Sequence, residues 1–341
     1  VIKRIGFACK WLNDPSECGG MKVNAQDRDL NGRSTTMKWL REHPAEAEQR
    51  QWDIMNHNTT AAVRMIERVA TLPASRRMVR LGSEMLQGYT EKDWINWWQQ
   101  PHVQSHCEKI FAAIGETARR LDVRISFHPG QFCVLASENA GIVDRSIAEF
   151  EYHADMARWM GYGKTFQDMK INIHISGKRG PDGFRETYNK LSTEARNCIT
   201  VENEENSWGL TDCLTVGDIV PVVLDVHHYW IREGTYIQPT DDLVKRVVDS
   251  WRGVRPVMHY SCSREDYLVA HDTAVKPDYR ALLDSGHKKQ KLRAHSDFMW
   301  NTVCNEWAVQ FLDTHDIMVE AKGKNLASAQ VYDCAVAHGV I

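Results

Sequence analysis

Eight short apolar runs recur along the chain, and amphipathic stretches separate them. This alternation limits the possible folds more than any other feature. The runs are 2–9 (IKRIGFAC), 78–85 (MVRLGSEM), 123–128 (VRISFH), 169–176 (MKINIHIS), 199–204 (ITVENE), 220–227 (VPVVLDVH), 255–261 (RPVMHYS) and 316–321 (DIMVEA). Each is rich in Val and Ile and short enough to be a parallel strand buried on both faces. Between them, Trp52, Met55, Thr59, Ala62, Ile66 and Val69 recur at three- and four-residue spacing and line one helix face. Cys107, Phe111, Ile114, Ala118 and Leu121 do the same, as do Val143, Ile147, Phe150, Ala154 and Ala157, and later Trp300, Val303, Trp307 and Phe311. Strand followed by helix, about eight times over, predicts a (β/α)8 TIM barrel. A doubly wound open sheet is the alternative, but no GxGxxG follows the first run.

No repeat, low-complexity tract or Pro/Ser-rich linker divides the chain, so 1–341 reads as one barrel domain. Two stretches exceed a minimal barrel, near 11–50 and 263–294. Both follow strands and so fall on the C-terminal face, where barrel enzymes build substrate contacts. No run of eighteen apolar residues is present, which excludes a transmembrane helix, and Val1 to Lys10 lacks the layout of a signal peptide. Lys plus Arg number 42 against 45 Asp plus Glu, a net charge of −3. That excludes a uniformly basic nucleic-acid coat protein but not a local basic face. The nine cysteines form no CxxC pair, so reduced thiols in a cytoplasmic protein are expected instead of a disulfide framework.

Polar residues of metal-ligating type recur where the apolar runs end. They are His128, His174, Glu202, then Asp225 with His227 and His228, His259 and Glu320, and His295 lies ahead of the last run. Such a group at the end of a buried strand is costly to desolvate without a partner. If the barrel closes, six successive strands bring these groups to one opening, where converging carboxylates repel unless cations neutralise them. A mixed imidazole and carboxylate set suits Zn or Mn. About eight ligands exceed the needs of one ion, so two or three ions are implied, an arrangement that can clamp a phosphodiester for in-line displacement.

FHPGQFCVLAS (127–137), INIHISG (171–177), ITVENEEN (199–206), LDVHHYW (224–230), MHYS (258–261), HSDFM (295–299) and IMVEAKGK (317–324) resemble, in order, successive motifs of the UV damage endonuclease family. RLGSEM (80–85) resembles that family's Arg-Ile-Ser-Ser strand. The family is similar to the endonuclease IV group. The resemblance implies incision of damaged duplex DNA on the 5′ side of cyclobutane pyrimidine dimers, 6-4 photoproducts and also abasic sites, leaving a 3′-hydroxyl and a 5′-phosphate. It implies two or three divalent ions, manganese foremost and zinc second. Carried over by position, His128, His174 and Glu202 would hold one ion. Glu202 would bridge to a second held by Asp225, His259 and Glu320, and Asp225 to a third held by His228 and His295. Glu202, Asp225 and Glu320 would be catalytic. Gln131 and Phe132 match a wedge that fills the gap left by extruded nucleotides, and Phe7 matches another probing aromatic. Lys178, Arg179, Lys322 and Lys324 are placed to meet phosphates, and a monomer acting on DNA in the cytoplasm is expected.

Some positions depart from the family pattern. Both probing Tyr positions are Phe, the Gly-Gly pair after His174 is Ser176 and Gly177, and Val257 stands where the family has a Lys near its metals. Glu204 and Glu205 read as solvated or outer groups, and Lys288, Lys289, Lys291 and Arg293 as either a DNA clamp or a solvated insert. Two other functions share the constellation. A sugar isomerase or epimerase would use fewer ions in a closed pocket. A catalytically inactive DNA-damage binder would have little use for so many convergent ligands.

Overall fold

The computed structural model describes residues 1–14 and 27–341. Its strands are β1 (Ile5–Ala8), β2 (Met78–Arg80), β3 (Arg124–Phe127), β4 (Lys170–His174), β5 (Ile199–Glu202), β6 (Val222–Val223), β7 (Val257–Tyr260) and β8 (Asp316–Val319). They fall within the eight apolar runs, and every pairing is parallel. The sheet order is β6-β5-β4-β3-β2-β1-β8-β7, so β6 and β7 are the only edges of a ring that has almost closed. What closes it is a single parallel bridge between Asp225 and His259, with the His259 amide donating to the Leu224 carbonyl at 2.9 Å. This is the predicted (β/α)8 barrel.

The outer wall follows from the helical spacings. Helices Pro44–Ala70, Pro101–Arg120 and Ala140–Trp159 bury Met55, Ile66, Phe111, Ile114 and Phe150 against the strands. Two begin with proline at the first turn, where a missing N–H costs nothing. The third is capped by Asn139, whose side chain accepts from the Ile142 amide. Helix Pro101–Arg120 approaches its neighbour so closely at Gly115 that an added Cβ would collide with the Met160 carbonyl.

Most of the extension near 11–50 is described, though its residues 15–26 lie outside the described part. The charged stretch 263–294 holds two short helices, Tyr279–Asp284 and Lys289–Leu292. Leu268 and Leu292 are buried there in a small apolar cluster with Trp230 and Ile231. That cluster, and an antiparallel bridge between Ser263 and His295, hold the segment over the C-terminal mouth. The eight described cysteines are all unpaired. No helix among the described residues is long and apolar enough to cross a membrane.

Candidate metal centre

Alternate residues of a strand face the same side of the sheet. In β4, Ile171 and Ile173 pack outward while Lys170, Asn172 and His174 line the barrel interior, and in β5 Thr200 and Glu202 do so. His128 and Glu320 follow the last residues of β3 and β8, and Asp225 follows β6 as the N-cap of helix Val226–Glu233. The cap uses one carboxylate oxygen only. Oδ1 accepts from the His228 amide at 2.7 Å, while Oδ2 is buried with no hydrogen-bond partner among the described residues.

These side chains meet. His128, His174 and Glu202 place one ligand-type atom each within 4.8 Å of one another, and so do Glu202, Asp225, His259 and Glu320. Glu202 belongs to both groups: its Oε2 lies 3.5 Å from His128 Nε2 and 3.8 Å from His174 Nε2, and its Oε1 lies 3.0 Å from His259 Nδ1. The His128 Nδ1 is 2.9 Å from the Pro129 carbonyl, which can only accept, so Nε2 offers its lone pair to the cluster. His174 Nδ1, Asp225 Oδ2 and His259 Nδ1 are all buried and without hydrogen-bond partners among the described residues. Buried polar atoms are rarely left so. Nitrogen and oxygen donors in this number, with no thiolate, fit Mn or Zn.

The electrostatics point the same way. Burial raises the Asp225 carboxyl well above the usual range, and the neighbouring Glu202 and Glu320 raise it further, against the pull of His228. Burial also opposes ionisation of Glu202 and Glu320, yet the surrounding histidines, with Arg80 beside Glu320, hold both well below it. Burial pushes the His128 imidazole down to about 4, keeping it neutral as a ligand must be. The His228 imidazole is raised to about 9: burial opposes the charge, but Asp225, Glu202 and Glu205 outweigh it.

Four residues that support the cluster were not singled out from the sequence. Asn172 donates to Glu202 Oε2 at 2.5 Å and accepts from Thr200. Arg80 donates to Glu320 Oε1 at 2.5 Å. Asn203 clasps the Asp225 backbone, accepting from its amide and donating to its carbonyl. Lys170, pushed down to about 7 chiefly by burial, sets its Nζ 3.0 Å from His259 Nε2. A lysine thus reaches the strand-seven histidine from β4, although Val257 stands where the family's lysine would be. The available signal was the period of two: polar residues two and four positions before a strand-end ligand share its face.

The remaining expected residues are placed unevenly. His228 and His295 belong to neither ligand group. His228 Nδ1 is 3.7 Å from Asp225 Oδ2, and the His295 ring is centred 6.4 Å from that of His228. Phe132 is 83% exposed beside the exposed Gln131. Phe7 corrects an expectation: it is 1% exposed and packs edge-on against Trp11, so it cannot present its ring to a base without leaving the core. Lys178, Arg179 and Lys322 lie at the surface in ion pairs with Glu138, Glu186 and Asp297. Lys324 is half-buried near Arg80 and Cys9. Glu205, expected in solvent or at the periphery, is buried.

The sequence matches the family described as UV-endonuclease UvdE over residues 17–337. It is 31% identical over 238 residues to the UV-damage endonuclease of Schizosaccharomyces pombe, covering 66% of this chain and 35% of that protein. It is 28% identical over 206 residues to the UV DNA damage endonuclease of Bacillus velezensis, covering 56% and 60%. The chain thus spans about a third of the first relative's length and less than two thirds of the second's. Among solved structures, the crystal structure of SacUVDE superposes with a TM-score of 0.73 at 21% identity over 99% of this chain and 100% of that one.

Proposed function

The chain belongs to the UV-endonuclease UvdE family, and from that premise we propose that it is a metal-dependent DNA-repair endonuclease that incises damaged duplex DNA 5′ to ultraviolet photoproducts, leaving a 3′-hydroxyl and a 5′-phosphate. The observation that carries the proposal is the convergence of His128, His174, Glu202, Asp225, His259 and Glu320 at one end of the barrel, in two groups that share Glu202. The curated relatives named above are UV-damage endonucleases, which favours a phosphodiester over a sugar as the substrate of that cluster.

The first group would hold one divalent ion and the second another. Two such ions, when bound, supply Lewis acidity for in-line displacement at phosphorus. Glu202 sets the spacing between the two positions through its two oxygens. Asn172 and Arg80 fix the carboxylates of Glu202 and Glu320, so the cluster need not reorganise when charge develops. At the rim, the exposed Phe132 ring and Gln131 would fill the gap left by extruded nucleotides, since a lesion stacks poorly and costs less to flip. Lys178, Arg179 and Lys322 would exchange their surface carboxylate partners for phosphates, making binding fall with salt.

The test is an end-labelled duplex carrying a single photoproduct, incubated with the purified protein and Mn. A nick 5′ to the lesion, absent from the undamaged duplex and abolished by chelator, is expected. Tight lesion binding without a nick, or turnover of a sugar phosphate instead, would sink the proposal.

A further inference from the structure

The loop after β5 carries a carboxylate that neither ligand group uses. Glu205 is 3% exposed. Its Oε1 is held by Arg293 Nε at 2.8 Å, while its Oε2 is buried with no hydrogen-bond partner among the described residues. That oxygen lies 3.6 Å from His228 Nε2. The other nitrogen of the ring, Nδ1, is 2.9 Å from the Asn203 carbonyl oxygen. A carbonyl only accepts, so Nδ1 carries the proton and a neutral His228 presents the Nε2 lone pair to Glu205. A lone pair and a carboxylate oxygen facing each other repel unless a cation lies between them. Two atoms each about 2.1 Å from a shared ion stand about 3 to 3.5 Å apart in the usual geometries, close to the separation seen. Both residues line a cavity of about 440 Å³ with His174, Gln131, Phe132 and Ser176, so an ion there would border the cluster and the rim together.

We infer that Glu205 and His228 Nε2 hold a further divalent cation beside the two ligand groups. The inference rests on the metal-dependent reading above and replaces the pairing of His228 with Asp225 and His295. Asp225 Oδ2 faces the proton-bearing nitrogen of His228, at 3.7 Å, and His295 stands too far off in its present setting. Arg293 is then a positioning residue. By holding Oε1 it turns Oε2 toward His228, and Lys289 donates to the Glu205 carbonyl oxygen at 3.0 Å from the same segment. The stretch 263–294 thereby takes part in building the site instead of only covering it.

The plain alternative is that Glu205 serves only as the counterion of Arg293. Metal content separates the two. Protein loaded with Mn and desalted is assayed by mass spectrometry for ions per chain, in wild type, Glu205→Gln and Arg293→Gln. Glu205→Gln should hold about one ion fewer, since the amide keeps the size but loses the charge that a cation needs. Arg293→Gln should retain the wild-type content. Equal content in wild type and Glu205→Gln overturns the inference and leaves the nuclease reading standing, whereas a wild type that retains no metal overturns both. Crystals of the unaltered protein soaked in Mn give a readout that does not depend on the variants folding. Anomalous density between His228 Nε2 and Glu205 Oε2 is expected, and density between His228 and His295, or none near His228, refutes it.

Discussion

Glu202 is the side chain on which both ligand groups depend, because each of its oxygens faces a different set of histidines. Glu202→Gln keeps the shape and removes the charge. It should lower cutting by more than about 100-fold, the upper range for losing a mere outer partner, while lesion binding stays measurable; unchanged turnover in a nicking assay would take Glu202 out of the site. Asn172→Ala removes a partner that orients Glu202 without touching any ion. Its Mn affinity, read by titration, should fall about 10- to 100-fold. The principal ligand types were legible in the sequence because a carboxylate or imidazole at the end of an apolar run has no cheap explanation. Asn172, Lys170, Arg80 and Asn203 were harder to see. They sit within or just beyond the apolar runs, and their value comes from contacts with distant strands that no spacing along the chain reveals. Phe7 failed for the reverse reason: an aromatic near a strand end suits the core as well as it suits a rim.

At the scale of elements, the barrel floor is as charged as its mouth. Asp316, at the start of β8, binds Arg124 Nη1 at 2.7 Å and Arg255 Nε at 2.6 Å, and also accepts from the Arg4 amide. Asp316→Ala leaves two largely buried guanidinium groups without that partner. It should cost about 3–5 kcal/mol, seen as a lower urea midpoint with an unchanged slope; a midpoint within error of wild type would show that the floor is supported elsewhere. The number and order of strands were legible, since the β period and the helical period alternate without interruption. The shortness of β6 was not: the run 220–227 reads as a full strand, but Asp225 turns it into a helix cap after only two paired residues. Nor did the charge of 263–294 betray its order. A few apolar residues, Leu268 and Leu292, suffice to seat it against Trp230 and Ile231.

For the whole molecule, buried neutral histidines set the response to acid. Burial pushes His153 down to about 4 and His315 down to about 3, whereas both titrate near 6.5 in an unfolded chain. Between those values the unfolded chain binds more protons, so stability is complete above about pH 6.5 and is lost as pH falls toward the folded values. The Tm of metal-free protein should therefore drop on acidification. His315→Gln, which cannot be protonated, should make the decline shallower, by up to about 1.4 kcal/mol per pH unit in the unfolding free energy. Parallel curves for the two proteins would contradict this.

The bridge between Asp225 and His259 gives the molecule one more property. The only stitch across the last gap of the ring is tied by two residues that also stand among the ligands. Chelation therefore does more than disarm the mouth. With the charge of Asp225 no longer balanced, the seam between β6 and β7 becomes the place where the wall should first part, and amide exchange at His259 would report it. Occupancy and integrity become one equilibrium, in which a cation acts as a rivet as well as a reagent.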